Sequence, residues 1–254
     1  MLQITVKVAS LLMTSKKTLV ALQFNYENRS LKDNFETLKR LLDKTPMNSI
    51  VLAPELCLSG YKYDSMEESA QFSKNILNKL EELSLNKTIA LTLIEKTNNK
   101  YFNNLKIFHN GNLLQTRSKA RLFPLGDEQI HFSSGVDKNI EIIEIDGIKI
   151  ATLICFELRF TELWQRTLGA DIIFLPAFWG KSRKNHLKTL CEALAIANQA
   201  FVIVANSSDD EMASSSAIIT PFGNVYRDDS AFIIKHDVDL NEIKKMRRYI
   251  NIGL

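Results

Sequence analysis

The sequence predicts an α/β protein with mixed sheets and helices packed outside them. Three observations carry this: strand-like apolar runs alternate with stretches of helical period, two Asx-Gly dipeptides sit between apolar runs as hairpin turns, and the 254 residues contain no Pro/Gly/Ser-rich linker or low-complexity boundary. Hydrophobic residues make up 45% of the chain, enough to fill one large core, so a single domain is the simpler reading although the length would allow two.

Residues 19–24 read as a strand, and Leu31, Phe35, Leu38, Leu41 and Leu42 then fall on one face of a helix that carries Asp33 and Glu36 in its early turns. A second strand–helix unit begins at residues 50–52. It leads through a loop containing Glu55 to a helix in which Ser65 and Glu68 have the spacing of a capping box and Phe72, Ile76, Leu80 and Leu83 point inward. Asn110-Gly111 separates a strand ending near His109 from one starting near Leu113, and Asp146-Gly147 joins residues 140–145 to residues 148–154; such turns predict antiparallel pairs. Further on, strands at 171–176 and 201–205 flank a helix over 183–198, and residues 216–220 and 231–234 add strands around the turn Phe222-Gly223-Asn224. The basic run Lys244-Lys245-Met246-Arg247-Arg248 is expected on the solvated face of a C-terminal helix.

A net charge of +3 spread along the chain offers no basic stripe for nucleic acid. Three cysteines are too few for a disulfide framework and their odd number fits a reducing compartment, which makes the cytoplasm the default location. Residues 8–13 are apolar but short, lack a strongly basic leader, and run into Lys16-Lys17 without a cleavage site, so neither a signal peptide nor a membrane span is expected. His109, His131, His186 and His236 are scattered without zinc spacing, and neither G-x-G-x-x-G nor G-x-x-x-x-G-K-[ST] occurs, so no metal or cofactor is expected.

Cys155 ends the apolar run Ile148-Lys149-Ile150-Ala151-Thr152-Leu153-Ile154 and opens the polar stretch Phe156-Glu157-Leu158-Arg159. A thiol at a strand-to-helix turn can meet the unpaired N–H groups of a helix start, which favour the thiolate. Alone, such a cysteine is more often a small core residue. Its company changes the reading, because Glu55 ends a similar run, Ser49-Ile50-Val51-Leu52-Ala53-Pro54, and Lys119 follows the strand-like Leu113-Leu114-Gln115-Thr116-Arg117. Cys57, close to Glu55, and Cys191, on an apolar helix face with Leu187, Leu190 and Leu194, read as packing.

The pieces Ala53-Pro54-Glu55-Leu56 with Ser59-Gly60-Tyr61, then Lys119-Ala120-Arg121-Leu122-Phe123, then Leu153-Ile154-Cys155-Phe156-Glu157-Leu158-Arg159-Phe160, resemble in content and order the nitrilase superfamily of carbon-nitrogen hydrolases. Leu175-Pro176-Ala177-Phe178-Trp179, Ala195-Ile196-Ala197-Asn198-Gln199 and Ile219-Thr220-Pro221-Phe222-Gly223 also look like family blocks, so the likeness covers nearly the whole chain after residue 18. The resemblance implies a four-layer α/β/β/α sandwich with two central mixed sheets and helices on both outer faces. It also implies one hydrolase domain over 18–254, an extension over 1–17 with Met13 as the natural start, and assembly into a homodimer or a larger homo-oligomer.

For the chemistry it implies a triad. Glu55 accepts the thiol proton, Cys155 attacks the carbonyl carbon, and Lys119, with the backbone N–H of Phe156, stabilises the oxyanion. Ammonia leaves a thioester, which water, activated by Glu55, then releases. A further family carboxylate eight or nine residues after the lysine is assigned to Glu128 in preference to Asp127, to position Lys119 or help the base. Arg159 either binds a substrate carboxylate bidentately or pairs with Glu157 or Glu162 to hold the turn, and both stay open. Phe178 and Trp179 are expected to wall the pocket, with Tyr61 supporting Glu55 and Asn103 supporting Lys119.

Within the superfamily, residues 122–132 and 155–160 look most like omega-amidase-type enzymes, which hydrolyse the terminal amide of 2-oxo dicarboxylic acid monoamides such as 2-oxoglutaramate. The chain departs from that pattern at Glu157, where Asp is commoner, at Thr161, where Pro is usual, and at Leu194 and Ala197, where Arg and Glu are often found. Alternatives that keep the triad are a deaminated-glutathione amidase and an N-carbamoyl amino acid amidohydrolase. A catalytically idle scaffold for protein binding is the alternative of another class, and intact Glu55, Lys119 and Cys155 argue against it. The expected partner is a small-molecule amide, with no nucleic acid and no membrane.

Overall fold

Two six-stranded mixed sheets form the centre of the computed structural model, which describes residues 15–254; the expected start at Met13 lies outside the described residues. The first sheet contains β1 (Lys16–Leu22), β2 (Ile50–Leu52), β3 (Thr88–Thr97), β4 (Lys100–His109), β5 (Asn112–Ser118) and β12 (Ile233–Asp239), in spatial order β12-β1-β2-β3-β4-β5. The second contains β6 (Ile143–Ile145), β7 (Ile148–Thr152), β8 (Ile172–Pro176), β9 (Phe201–Ala205), β10 (Ala217–Ile219) and β11 (Val225–Arg227), in order β11-β10-β9-β8-β7-β6. Each is parallel at its centre and antiparallel at its edges: β1 with β2 and β2 with β3 in one, β7 with β8 and β8 with β9 in the other.

Alternation along the strands stacks the layers. Leu19 and Ala21 of β1 share a core with Ile150 and Phe174 of the second sheet, whereas Val20 and Leu22 share one with Phe35, Leu38 and Leu42 of α1 (Leu31–Asp43). Two further helices, α2 (Met66–Asn75) and α3 (Leu77–Leu83), lie on the same side, where Ile76 and Leu80 join that outer core. On the other side α4 (Lys184–Asn198) buries Leu187, Cys191, Leu194 and Ala195 against the second sheet. Between these layers β8 and β9 are buried along their whole length, as parallel strands covered on both faces must be. The result is the expected four-layer α/β/β/α sandwich. No helix among the described residues is long and apolar enough to cross a membrane.

Both expected hairpins form two-residue turns with paired positive φ, 47° and 81° at Asn110-Gly111 and 51° and 72° at Asp146-Gly147. A third, Asn98-Asn99 with φ of 49° and 57°, closes the long ladder of β3 with β4. It carries the same αL-tolerant asparagine signal.

Several expectations shift. Ser65 makes no cap bond, because it ends a preceding helical turn, Tyr63–Ser65, with a ψ of 30° instead of the extended backbone of an N-cap, and the helix it was to start breaks at Ile76 into α2 and α3. Residues 140–142 stay outside β6, and β7 stops at Thr152, which frees Leu153 and Ile154 to carry Cys155 away from the sheet. The last strand begins at Ile233 and runs on to Asp239, crossing to pair with β1 in the first sheet. Through that pairing β1 takes in Lys16 and Lys17, the last two residues of the expected extension. The basic run does lie on a helix, α5 (Asn241–Tyr249), but Met246 is buried and Arg247 donates to the Ala170 carbonyl at 2.7 Å, so only part of it faces solvent.

Phe174 is fully buried in the core that the two sheets share. Phe174→Ala is expected to lower the unfolding free energy by about 3–5 kcal/mol. Denaturant titration checks this, and a loss under about 1 kcal/mol would remove the inter-sheet core as the main source of stability.

Candidate active site

Three residues leave the ends of three strands and meet between the sheets. Glu55 lies just past β2, Lys119 directly follows β5, and Cys155 lies just past β7. The first two strands belong to one sheet and the third to the other, so the group exists only when the layers are packed.

Lys119 is the hub. Its side chain is fully buried, and its ammonium donates to Glu55 Oε1 at 2.8 Å and to Glu128 Oε1 at 2.8 Å. Burial alone would strip the charge from this lysine, but the Glu55 and Glu128 carboxyls outweigh it and hold the ammonium well above its ordinary range. Glu128 opens a single helical turn, Glu128–His131, and its other oxygen accepts the Phe123 N–H at 3.1 Å. Burial pushes this carboxyl up while Lys119 pulls it down. Asp127, the competing assignment, is exposed at a left-handed φ of 56° and so turns the chain instead of reaching the lysine.

Glu55 is held on nearly every side. Oε1 accepts from Asn103 Nδ2 at 2.9 Å as well as from Lys119, the main-chain N–H donates to the Ala177 carbonyl at 3.3 Å, and the main-chain carbonyl accepts the Tyr26 hydroxyl at 2.6 Å. Its Oε2 is buried without a hydrogen-bond partner. A buried polar atom left unpaired costs about 1–3 kcal/mol, so this oxygen is primed to take a proton or a donor.

Cys155 begins a tight helical turn, Cys155–Arg159, at a φ of 47°, a region that non-glycine residues seldom enter. Burial pushes its thiol up and Glu55 adds to the rise, while Lys119 and the Phe178 main-chain N–H oppose it. The resting group is therefore a thiol. It borders a cavity of about 150 Å³ lined by Tyr61, Tyr63, Phe123, Gly126, Glu128, Cys155 and Phe178. Cys57 and Cys191 are sealed in the cores, and burial raises both thiols far beyond the physiological range. Among the described residues no group of three or more His, Cys, Asp or Glu side chains is placed to hold a metal ion.

Asn103 and Tyr61 each reach both Glu55 and Lys119: the Asn103 main-chain carbonyl accepts the Lys119 N–H at 2.9 Å, and the Tyr61 hydroxyl lies against the Glu55 carboxyl, which adds to the rise that burial gives it. Asn103 holds Glu55 with its side chain, while the Tyr61 hydroxyl approaches Lys119 Nζ at 3.5 Å. Phe178 walls the cavity and packs on Tyr61 with ring centres 5.3 Å apart. Trp179 lies one step back, buried, with its N–H on Asn206 Oδ1 at 2.8 Å and with Arg159 over its ring at 4.6 Å. Phe156 packs between Phe123 and Phe160, and its N–H is among the first of the helical turn. Arg159 pairs with neither Glu157 nor Glu162. Tyr63 and Phe123 were not anticipated as cavity walls, although Phe123 closes the lysine motif.

The carbon-nitrogen hydrolase family model matches residues 18–248. The chain belongs to the carbon-nitrogen hydrolase family. This hydrolase is 31% identical over 252 residues to the 2-oxoglutaramate amidase of Bacillus subtilis (strain 168), with 93% of this chain and 96% of that protein covered. It is 29% identical over 188 residues to the deaminated glutathione amidase of Escherichia coli O157:H7, covering 69% and 71% of the two chains. The structure of Saccharomyces cerevisiae Nit3, a member of the nitrilase superfamily, shares the fold with a TM-score of 0.77 at 21% identity, covering 94% of this chain and 96% of that one.

In this hydrolase the lysine and cysteine loops are locked together by one ion pair. Glu157 accepts from Arg117 Nη1 and Nη2 at 3.0 and 2.7 Å, from the Ala120 N–H at 2.6 Å and from the Ile154 N–H at 2.7 Å, and Arg117 also donates to the Thr152 carbonyl at 2.7 Å. Both side chains are buried. Because single removal strands a buried charge, Arg117→Met is expected to cost about 3–5 kcal/mol of stability and the double change Arg117→Met/Glu157→Gln to recover part of it. Chemical denaturation of the three proteins checks this, and a single-variant cost below about 1 kcal/mol would discard the lock.

Proposed function

We propose that this hydrolase is an omega-amidase-like enzyme with a Glu55–Lys119–Cys155 triad, cleaving the terminal amide of a small 2-oxo dicarboxylic acid monoamide, 2-oxoglutaramate first among candidates, to the 2-oxo acid and ammonia. The observation that carries it is Glu55 Oε2, buried and unpartnered beside a thiol that burial keeps protonated, while Oε1 is already occupied. That leaves one carboxylate oxygen with a single task, accepting the thiol proton.

In the proposed cycle Cys155 Sγ bonds to the amide carbon as its proton passes to Glu55, and the negative oxygen is met by the Lys119 ammonium and the Phe156 N–H. The C–N bond then breaks, the nitrogen leaves as ammonia with the proton from Glu55, and a thioester remains. Water gives a proton back to Glu55 as its oxygen bonds to the acyl carbon, and the C–S bond breaks to return the thiol. Glu128 holds Lys119 in place throughout.

Substrate size is limited by the cavity. At about 150 Å³ it is smaller than the roughly 300–1,000 Å³ of sites for drug-sized ligands, which favours a compact amide over a tripeptide-derived one. The similarity to the 2-oxoglutaramate amidase over nearly the full length of both chains supports the same choice. A cytoplasmic location belongs to the proposal, supported by three free, buried cysteines, as does a homodimeric state, which sedimentation analysis checks.

Ammonia release is the direct test, run on 2-oxoglutaramate, 2-oxosuccinamate, deaminated glutathione and N-carbamoyl-β-alanine with wild type and Cys155→Ala. Turnover that needs Cys155 and is confined to the two oxo-acid amides is expected; preference for deaminated glutathione or the carbamoyl compound reassigns the substrate, and a silent wild type returns the scaffold alternative. Glu55→Gln, which keeps the side-chain shape, is expected to lower kcat by about 10²–10⁴-fold. Single-turnover kinetics on the preferred amide would expose the error if the acylation rate stayed within a few-fold of wild type.

A further inference from the structure

Two guanidinium groups rest on aromatic rings at or next to the cavity wall, and only Arg159 lies in the cysteine motif. Arg159 rests on Trp179 with Cζ 4.6 Å from the ring centre and meets His186 Nδ1 at 3.1 Å. Arg183, the residue that precedes α4, rests on Phe123 with Cζ 4.9 Å from that ring centre. Phe123 is a wall of the cavity, and so is Phe178, the neighbour of Trp179. His186 is three residues beyond Arg183, one turn along, so the cysteine turn and the start of α4 bring the two arginines together.

The paired arginines Arg117, Arg121, Arg227 and Arg247 find Glu157, Asp137, Glu192 and Asp171. Among the described residues neither Arg159 nor Arg183 has a carboxylate at such a distance. Burial and the nearby Arg183 both pull the Arg159 guanidinium down, the sign of two like charges held close. An anion between them relieves that repulsion.

We propose that Arg183 is a specificity-determining residue that, with Arg159, holds the 2-oxo-carboxylate end of the substrate at the cavity mouth while the amide end reaches Cys155. The assignment rests on the omega-amidase-like proposal. A 2-oxo acid presents two carboxylate oxygens and one carbonyl oxygen, and one guanidinium fork pairs well with only two of them. A second fork serves the third oxygen and the remaining lone pairs. Contact with the rings of Trp179 and Phe123 restrains both guanidinium groups in advance, which lowers the entropy lost on binding. A neutral amide lacks the negative charge that this pair calls for.

The test is calorimetric binding of 2-oxoglutarate, the product, to wild type, Arg183→Gln and Arg183→Lys, with melting curves to show that each is folded. Arg183→Gln keeps the stem on Phe123 and is expected to weaken the Kd about ten- to hundredfold, with Arg183→Lys recovering part of the loss. An unchanged Kd in Arg183→Gln, or no binding by wild type, overturns the assignment. Ammonia release from 2-oxoglutaramate by the same wild-type sample separates the two ideas. Arg183-dependent product binding without hydrolysis would sink the proposed function and leave this site standing, whereas hydrolysis with an Arg183-independent Kd would do the reverse.

Discussion

A lysine ammonium sealed from water has to be surrounded by acids, and much of this structure answers that demand at Lys119. Leaving such a charge unpaired in the interior costs several kcal/mol. Glu55 and Glu128 meet it at 2.8 Å each, yet they come from loops far apart in the chain and reach it only because two strand ends of the first sheet and a helical turn close on one point. Two carboxyls and a thiol around one ammonium also leave an excess of acidic groups. The excess is resolved by keeping protons on the weaker acids, which is why Cys155 rests as a thiol beside Glu55.

The distance between the cation and the sulfur is set by main chain more than by the two side chains. Glu157 gathers the N–H after Lys119 and the N–H before Cys155 on one carboxylate, with Arg117 neutralising it. The backbone at Cys155, and at Leu56 beside Glu55, sits at left-handed φ of 47° and 46°. Such conformations cost about 1–3 kcal/mol each and persist where the surroundings over-determine them, as this lock and the Leu56 N–H bond to Thr92 Oγ1 at 2.7 Å do.

Glu55, Lys119 and Cys155 were legible because each sits in a contiguous motif at the end of an apolar run, where local pattern and site coincide. Glu128 was separable from Asp127 only by the backbone, since the left-handed turn at Asp127 decides which carboxyl points inward. The family resemblance also pointed to Asn103 and Tyr61 as supports, though not to each of them touching both Glu55 and Lys119. The Arg117–Glu157 pair and the contact of Arg159 with His186 join residues from separate loops, and nothing local announces such partners. The β3 strand escaped notice because its end, Glu95-Lys96-Thr97, is polar, and the asparagine pair that turns it lacks the glycine of the other two hairpins. Ser65 fails as a cap for a related reason: spacing shows only that a bond is possible, and the preceding turn Tyr63–Ser65 denies Ser65 the extended backbone a cap needs.

The pairing of β1 with β12 ties the beginning of the domain to its end. As the chain leaves the ribosome, β1 can find β2 within its first fifth, but its other edge has no neighbour until the last strand is made. Contacts so remote in sequence close late and slow the search for the native topology. For most of synthesis the first sheet therefore presents a bare, apolar edge of the kind that invites association with other nascent chains, and completion of the C-terminus is what retires that hazard.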